Sequence, residues 1–506
     1  MKKLGIVLIV LTAFAAFPLV AQGVQEKPVS LQVAMGGNPD TLDPHKTAGT
    51  LTFQTIRSFY DTLVEPNENG KIVPALAESW DVSSDNLVWT FHLRSGVTFH
   101  NGDTFTSTDV KKTLERIMDP SMASSKASEF GSIESIETPD DLTVVVVLSS
   151  PSAPLLSTLA SGWGAILPAS LIDEGHDFGQ QPVGTGPFKL QEWIPDNSIT
   201  LEKNDAYWMS GKPAVDEVKL NIIPEPAVQL QGLISGQLDV LSGYTPTEQE
   251  LQMLKSNADI NVTEHLTAMV LVLAINTSHD YIDSLKLRQA IAMSIDKQKV
   301  LDIAYGGGEP VGTFMDITDP YYEDYTDLYP YNPDQATSII KSLNIPKDTV
   351  FTMALPQNYD MHVKAGQLYQ EMLEKVGLNV QIKLVDWSTW LSDVYRGGNY
   401  DFTVIGHTGK LDPSGRLSGY GVPDTNYVKW DNAEAAEAIN KAAQIVDFDQ
   451  RKALYGRALE LMAEELPHIY IGTSYSYVFN RANVSGFRMD TKLDTFDFRN
   501  VTVDGE

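Results

Sequence analysis

Apolar residues recur along this chain at two spacings, and the two alternate from one end to the other. Trp89, Phe91 and Leu93 occupy every second position between polar partners, and Thr143 to Leu148 is a β-branched run of the kind that suits a buried strand. Val110, Thr113, Leu114 and Ile117 fall instead at helical spacing, with Thr106 and Asp109 placed to cap the first turn. Met361, Ala365, Leu368, Met372 and Val376 predict one helical face that Gly377 can end, after which Val380, Ile382 and Leu384 alternate as a strand. Asp283 is placed to open a further helix with Leu287, Ile291 and Ile295 inside, closed by Gly306 to Gly308. The last long helix carries Leu454, Ala458, Leu461 and Glu465 before Pro467. The pattern predicts a mixed α/β protein.

No repeat at a solenoid period and no low-complexity linker divides the chain. A chain of 506 residues nonetheless exceeds what one hydrophobic core serves, so two or more domains are expected, with their boundaries inside connections between elements. Two strand-like segments far apart in the chain, Leu271 to Asn276 and Ile469 to Ile471, are the best candidates for crossings that would act as a hinge.

The longest apolar run, Leu4 to Phe17, follows Lys2 and Lys3 and precedes the small-x-small pattern Ala21-Gln22-Gly23. This predicts a secretory leader cleaved after Gly23, with Ala21 as the alternative; the run falls short of the ~20 residues a membrane span needs. The chain has no cysteine, which removes disulfides, thiolate metal sites and the lipid-bearing cysteine of tethered lipoproteins. A free periplasmic protein is expected. The formal net charge of −29 repels nucleic acid and anionic lipid, so neither is an expected partner.

Candidate chemistry is sparse. Gly184 and Gly186 in "PVGTGPFKL" begin like a dinucleotide loop, but Pro187 interrupts and Lys189 stands where a third small residue is needed. Phe188 and Leu190, then Ile199 and Leu201, flank the turn Pro195 to Ser198 and predict two strands joined by a loop. The nine histidines include no H-E-x-x-H, no G-x-S-x-G occurs, and Ser338-x-x-Lys341 lacks the companion motifs of a β-lactamase. No catalytic residue and no metal site is therefore assigned. A glycoside hydrolase with distant carboxylates, or an adhesin, stays open as the alternative of another class.

The motifs make collective sense as a resemblance. "NPDTLDPHKT" (Asn38 to Thr47), the block from Phe59 to Ile117, "PVGTGPFKL", "NDAYW", "LAINTS", "LRQAIAMSIDKQKV", "EKVGLNVQI", "YDFTVIGHTGKLDPS" and "LPHIYI" occur in the order found in the periplasmic solute-binding proteins of peptide, nickel and opine ABC importers. The chain resembles that family, known as family 5, over nearly its whole length. The resemblance implies a two-lobed periplasmic binding protein of the large type II-like class, with an inserted subdomain in the first lobe. It places the leader at 1–23, the first lobe's core at 24–69, 181–272 and 478–506, the insertion at 70–180 and the second lobe at 273–477. It further implies a monomer that encloses a small solute between its lobes, docks on an inner-membrane permease, and needs no cofactor. In this setting Gly184 and Gly186 permit a backbone conformation closed to larger residues, while Tyr207 and Trp208 are core aromatics.

The solute is read from departures. Peptide-binding members hold the ligand's α-ammonium with an aspartate just upstream of a D-P pair; here Gly409 and Lys410 precede Asp412-Pro413, and a lysine suits a hydroxyl or an anion instead. Nickel-binding members carry a histidine just after that pair, where Ser414 stands. His407, Lys410 and Asp412, with Trp387 and Trp390 shortly before, are candidate ligand contacts for a peptide or for an oligosaccharide or sugar acid. Equally, the tryptophans can pack the second lobe and Asp412 can cap a turn. Asn38, Trp163, Tyr244 and Gln357 are placed near the cleft by the family's layout alone.

Overall fold

The computed structural model describes residues 29–47, 49–68 and 70–504. The leader assigned to residues 1–23 lies outside them.

Twelve strands form one sheet. At its centre runs His468–Arg481, a strand of fourteen residues that belongs to both halves. Its first half pairs with Val270–Ile275 and Gly308–Pro310, and its second half with Ile260–Leu266 and Val240–Ser242. Outward on one side lie Phe402–His407, Phe351–Pro356 and Val380–Val385; on the other lie Ser30–Met35, Glu217–Ile222, Ser198–Lys203 and Phe188–Ile194. The chain thus passes between the halves through Thr267–Met269 and again near Ser474–Tyr475, adjacent to the two segments predicted to cross. All six residues of Val270–Ile275 are buried, because helices cover both faces of this part of the sheet.

A separate four-stranded antiparallel sheet is built from Ala77–Val82, Val88–Leu93, Thr143–Leu148 and Ile133–Asp140. Trp89, Phe91 and Leu93 face its core as their alternation predicts. Thr143–Leu148 is not buried throughout: Val144, Val146 and Leu148 point inward, while the other face is half-exposed because one layer alone covers this sheet. That layer is the helix Ser107–Met118, which buries Val110, Thr113, Leu114 and Ile117. Thr106 caps it, its backbone N–H and its hydroxyl both donating to Asp109 at 2.8 and 3.1 Å.

Elsewhere the helical readings shift. The segment after Asp283 is two helices, Leu285–Ser294 and Lys297–Ala304, separated at Ile295–Asp296, where the Asp296 carboxylate accepts from Lys299 N–H and begins the second. The helix Asp360–Lys375 buries His362, Ala365, Gly366, Tyr369, Met372 and Leu373, leaving Met361 exposed. In the strand that follows, Leu384 is exposed as well.

The "PVGTGPF" stretch wraps the end of the helix Thr50–Phe59. Asp61, buried just beyond that helix, accepts hydrogen bonds from the Thr185 hydroxyl at 2.9 Å, Trp208 Nε1 at 2.9 Å and the Tyr207 hydroxyl at 3.1 Å. A Cβ at Gly184 would stand 2.3 Å from the Phe59 carbonyl oxygen, and one at Gly186 would stand 2.4 Å from the Phe59 carbonyl carbon. Neither glycine has a left-handed φ. Their small size serves close backbone approach, which corrects the conformational role expected of them. The turn of the following hairpin is held by Asn38, whose side-chain oxygen accepts from Asp196 N–H at 3.0 Å while its amide donates to the Asp196 carboxylate.

Candidate functional site

A cleft of about 730 Å³ opens where the second half of the molecule meets the first. One wall is the loop Thr408–Ser418, which continues from the strand Phe402–His407. The other combines the start of the helix at Thr50 and Phe53, the turn carrying Lys126 and Glu129, the segment Ser152–Trp163, and Lys492 to Asp494 from a hairpin near the C-terminus. A second cavity of about 590 Å³ lies beyond Leu411 and Lys492, which line both.

The loop is rigidly rooted. Arg416, buried, donates to the carbonyls of Ala268 and Thr408 at 3.0 Å and lies 3.8 Å from Asp316. Asp412 meets Arg451 through a single guanidinium nitrogen at 2.7 and 3.0 Å and accepts from both the N–H and the hydroxyl of Ser414 at 3.0 and 2.7 Å. Asp412 borders the cleft, yet its carboxylate is occupied within the protein. This turn-capping role is the alternative weighed for it.

Gly409 abuts the crossing segment and the hairpin near the C-terminus: a Cβ there would lie 2.4 Å from that of Ala268 and 3.3 Å from Lys492 Cα. A carboxylate side chain has no room at 409. Lys410 does enter the cleft, and among the described residues its ammonium has no ion-pair partner. Burial holds its pKa down, with Lys126 adding repulsion. Trp163 lines the same space, its Nε1 donating to the Thr47 carbonyl at 3.0 Å, its ring edge-on to Phe53 at 4.4 Å and under the Lys126 ammonium at 5.1 Å.

The other sequence candidates lie elsewhere. His407 turns from the cleft into a buried aromatic cluster, where its Nε2 pairs with the Tyr427 hydroxyl at 2.8 Å and its ring meets Phe314 edge-on. Burial first, then Arg416 and Lys410, hold its pKa down to about 3. Tyr427 bonds in turn to His468 at 3.0 Å. Trp387 and Trp390 stack on each other at 5.0 Å, and Trp390 donates from Nε1 to the Thr403 hydroxyl, so both pack in one hydrophobic cluster of the protein. Tyr244 lies against Phe479, its hydroxyl pushed up to about 12 by burial and by Glu250. Gln357 is exposed at the end of the strand Phe351–Pro356, and Asn38 is engaged by the hairpin turn. Of the nine candidates, the cleft collects Lys410, Asp412 and Trp163. Lys126, Glu129, Lys492 and Asp494 line it without having been foreseen, since no motif or spacing distinguishes them among so many charged residues.

Residues 71–427 match the family model described as bacterial extracellular solute-binding proteins, family 5. The chain belongs to this family. It is 30% identical to di/tripeptide-binding protein 2 of Pseudomonas aeruginosa over 98% of both chains. The structure of PBP AgaA from A. tumefaciens R10, in complex with agropinic acid, is 28% identical and superposes with a TM-score of 0.73 over 94% of this chain and 99% of that one. The ABC transporter-associated periplasmic binding protein DppA of Helicobacter pylori, in complex with the peptide STSA, is 26% identical with a TM-score of 0.75 over 94% and 99%. As a family 5 solute-binding protein the chain is a two-lobed transport receptor of the periplasm and not an enzyme, and the cleft between its lobes is the place to look for a solute.

Proposed function

We propose that this family 5 protein captures a short peptide in the cleft between its lobes and delivers it to the permease of an ABC importer. The observation that carries the reading is a cleft of about 730 Å³ lined on one side by the Thr408–Ser418 loop and on the other by Thr50, Phe53 and the segment Ser152–Trp163, in a chain 30% identical end to end to a di/tripeptide-binding protein. That volume lies within the range of small-molecule sites, and Lys410, which has no ion pair among the described residues, offers a cation to a peptide carboxylate. Closure of the lobes is a population shift driven by the ligand's preference for the closed state. The protein works as a monomer, its leader ends at Gly23, and the first lobe comprises 24–69, 181–272 and 478–506, with 70–180 inserted and 273–477 forming the second.

A second reading, a sugar-acid ligand, draws on Ser128, Ser132, Ser157, Ser161, Thr408 and Ser418, which line the same cleft, and on the agropinic acid bound by the similar AgaA. A thermal-shift screen of the mature protein against di- and tripeptides, opines, sugar acids and neutral oligosaccharides separates the two. At about 100 times Kd a ligand adds roughly 2.7 kcal/mol, a shift of a few degrees. Shifts with peptides support the first reading; shifts confined to opines or sugar acids replace it with the second.

A further inference from the structure

Six charged side chains line the cleft: Lys126, Glu129, Lys410, Asp412, Lys492 and Asp494. Four are matched inside the protein. Lys126 pairs with Glu129, Asp412 with Arg451, and Lys492 with Asp319 at 2.9 Å. Among the described residues, Lys410 and Asp494 alone of the six have neither an ion pair nor a side-chain hydrogen bond, although each feels the other's opposite charge. They carry opposite signs and come from different lobes, Lys410 on the Thr408–Ser418 loop and Asp494 on the turn before the strand Thr495–Asp497.

The turn is built to hold Asp494 where it is. Asp490 accepts from the N–H groups of Lys492 and Leu493 at 3.0 and 3.1 Å and faces Arg488 at 3.4 Å, while the buried Lys492–Asp319 pair ties the turn to the second lobe. Asp494 itself sits at φ 54°, a left-handed conformation that costs a residue with a side chain energy and persists only where its surroundings enforce it. Lys492 Cα lies beside Gly409, which brings this turn against the base of the Lys410 loop.

We propose that Asp494 and Lys410 are the two terminal-charge receptors of a zwitterionic peptide, Asp494 taking its α-ammonium from the first lobe and Lys410 its carboxylate from the second. The attraction between the two stops short of an ion pair, and a charge without a direct partner in a partly desolvated cleft is costly; a ligand bearing both charges gives each receptor a partner at hydrogen-bond distance. Burial, followed by repulsion from Asp490, holds the Asp494 carboxyl above its usual range, and burial, followed by repulsion from Lys126, holds the Lys410 amine below its own; the attraction between Asp494 and Lys410 offsets each shift only in part, and a bound zwitterion relieves both. Because the two receptors sit on different lobes, simultaneous occupancy favours the arrangement that brings the lobes together. The ammonium receptor is thus supplied from the lobe opposite position 409, where no carboxylate fits.

The inference rests on the peptide reading, and one titration series distinguishes their failures. Isothermal titration of the mature protein with di- and trialanine, their N-acetyl forms and their C-terminal amides is run on wild type, Asp494→Asn and Lys410→Met. Asparagine tolerates the left-handed region, so Asp494→Asn keeps the turn, which an unchanged melting temperature verifies. Wild type is expected to bind the free peptide at least tenfold more tightly than either blocked form. Asp494→Asn should lose tenfold for the free peptide and less than twofold for the N-acetyl form; Lys410→Met should do the same with respect to the amide. Free-peptide affinity unchanged in Asp494→Asn, or an equal loss for free and N-acetyl peptides, overturns the inference while leaving peptide binding intact. Failure of wild type to bind any of these peptides overturns the peptide reading and the inference together.

Discussion

Asp412 was a candidate ligand contact, and the structure makes it a support for the loop that carries Lys410. The replacement Asp412→Asn preserves shape and removes the charge that Arg451 faces at 2.7 Å. Both side chains are less than a tenth exposed, 7% for Arg451 and 8% for Asp412, so the discount due to a surface ion pair does not apply. Removing one partner of a buried pair costs ~3–5 kcal/mol because the other charge stays behind. Arg451 retains the Tyr321 hydroxyl and the Ala442 carbonyl, both at 3.0 Å, which places the expected loss near the lower end, ~3 kcal/mol. Referred to the transition of a lobe of roughly 200 residues, that is a fall in melting temperature of roughly 6–12 °C. The double replacement Asp412→Leu with Arg451→Met removes both charges and should recover most of the loss. Calorimetric melts of the single and double variants, with ligand titrations beside them, check the sequence of effects. A melting temperature within 2 °C of wild type combined with a large loss of affinity would refute this reasoning and return Asp412 to the ligand.

Three further outcomes follow from the scaffold. Gly184→Ala drives a methyl group to 2.3 Å from the Phe59 carbonyl oxygen and should cost ~3 kcal/mol or more, read as lost soluble yield or an early melt. Asp61→Ala leaves the Thr185, Tyr207 and Trp208 donors without their acceptor and should destabilise by roughly 3 kcal/mol in urea unfolding. Burial holds the fully buried His45 down to about 3, with Arg116 adding to the effect, and His362 down to about 4. The unfolded chain therefore takes up their protons first, so their stabilising contribution is complete above pH 6.5 and is lost as pH falls toward 3–4, about 2 kcal/mol each at pH 5. Melts between pH 7.5 and 5, with imidazole resonances that do not titrate over that interval, are the expected record.

What could be read in advance depended on how local the cause was. The helix Ser107–Met118 and its Thr106–Asp109 cap, and the alternation through Trp89, Phe91 and Leu93, are decided by neighbours a few residues apart, so periodicity alone reveals them. Met361 escaped because helical spacing marks an apolar stripe without saying which residue at its margin meets the sheet. The order of motifs made the family legible, since many weak signals in sequence are jointly specific. The cleft was less so. Asp412 is answered by a residue 39 positions away, and Trp387 and Trp390 by each other and by Thr403, so their packing becomes visible only in three dimensions. Asp494 resembles every other acidic residue in a chain that has 66 acidic residues, until its place in the cleft, with no ion pair or side-chain hydrogen bond among the described residues, is seen.

The strand His468–Arg481 has a mechanical consequence. Because one extended backbone is hydrogen-bonded into both halves of the sheet, the lobes are joined by a stiff leaf spring rather than a tether. A motion that keeps both ladders intact has to be taken up where the strand changes partners, at Ser474–Tyr475 and the facing Thr267–Met269. Little chain entropy is surrendered when the lobes meet, and the free energy of recognition is left to discriminate among solutes.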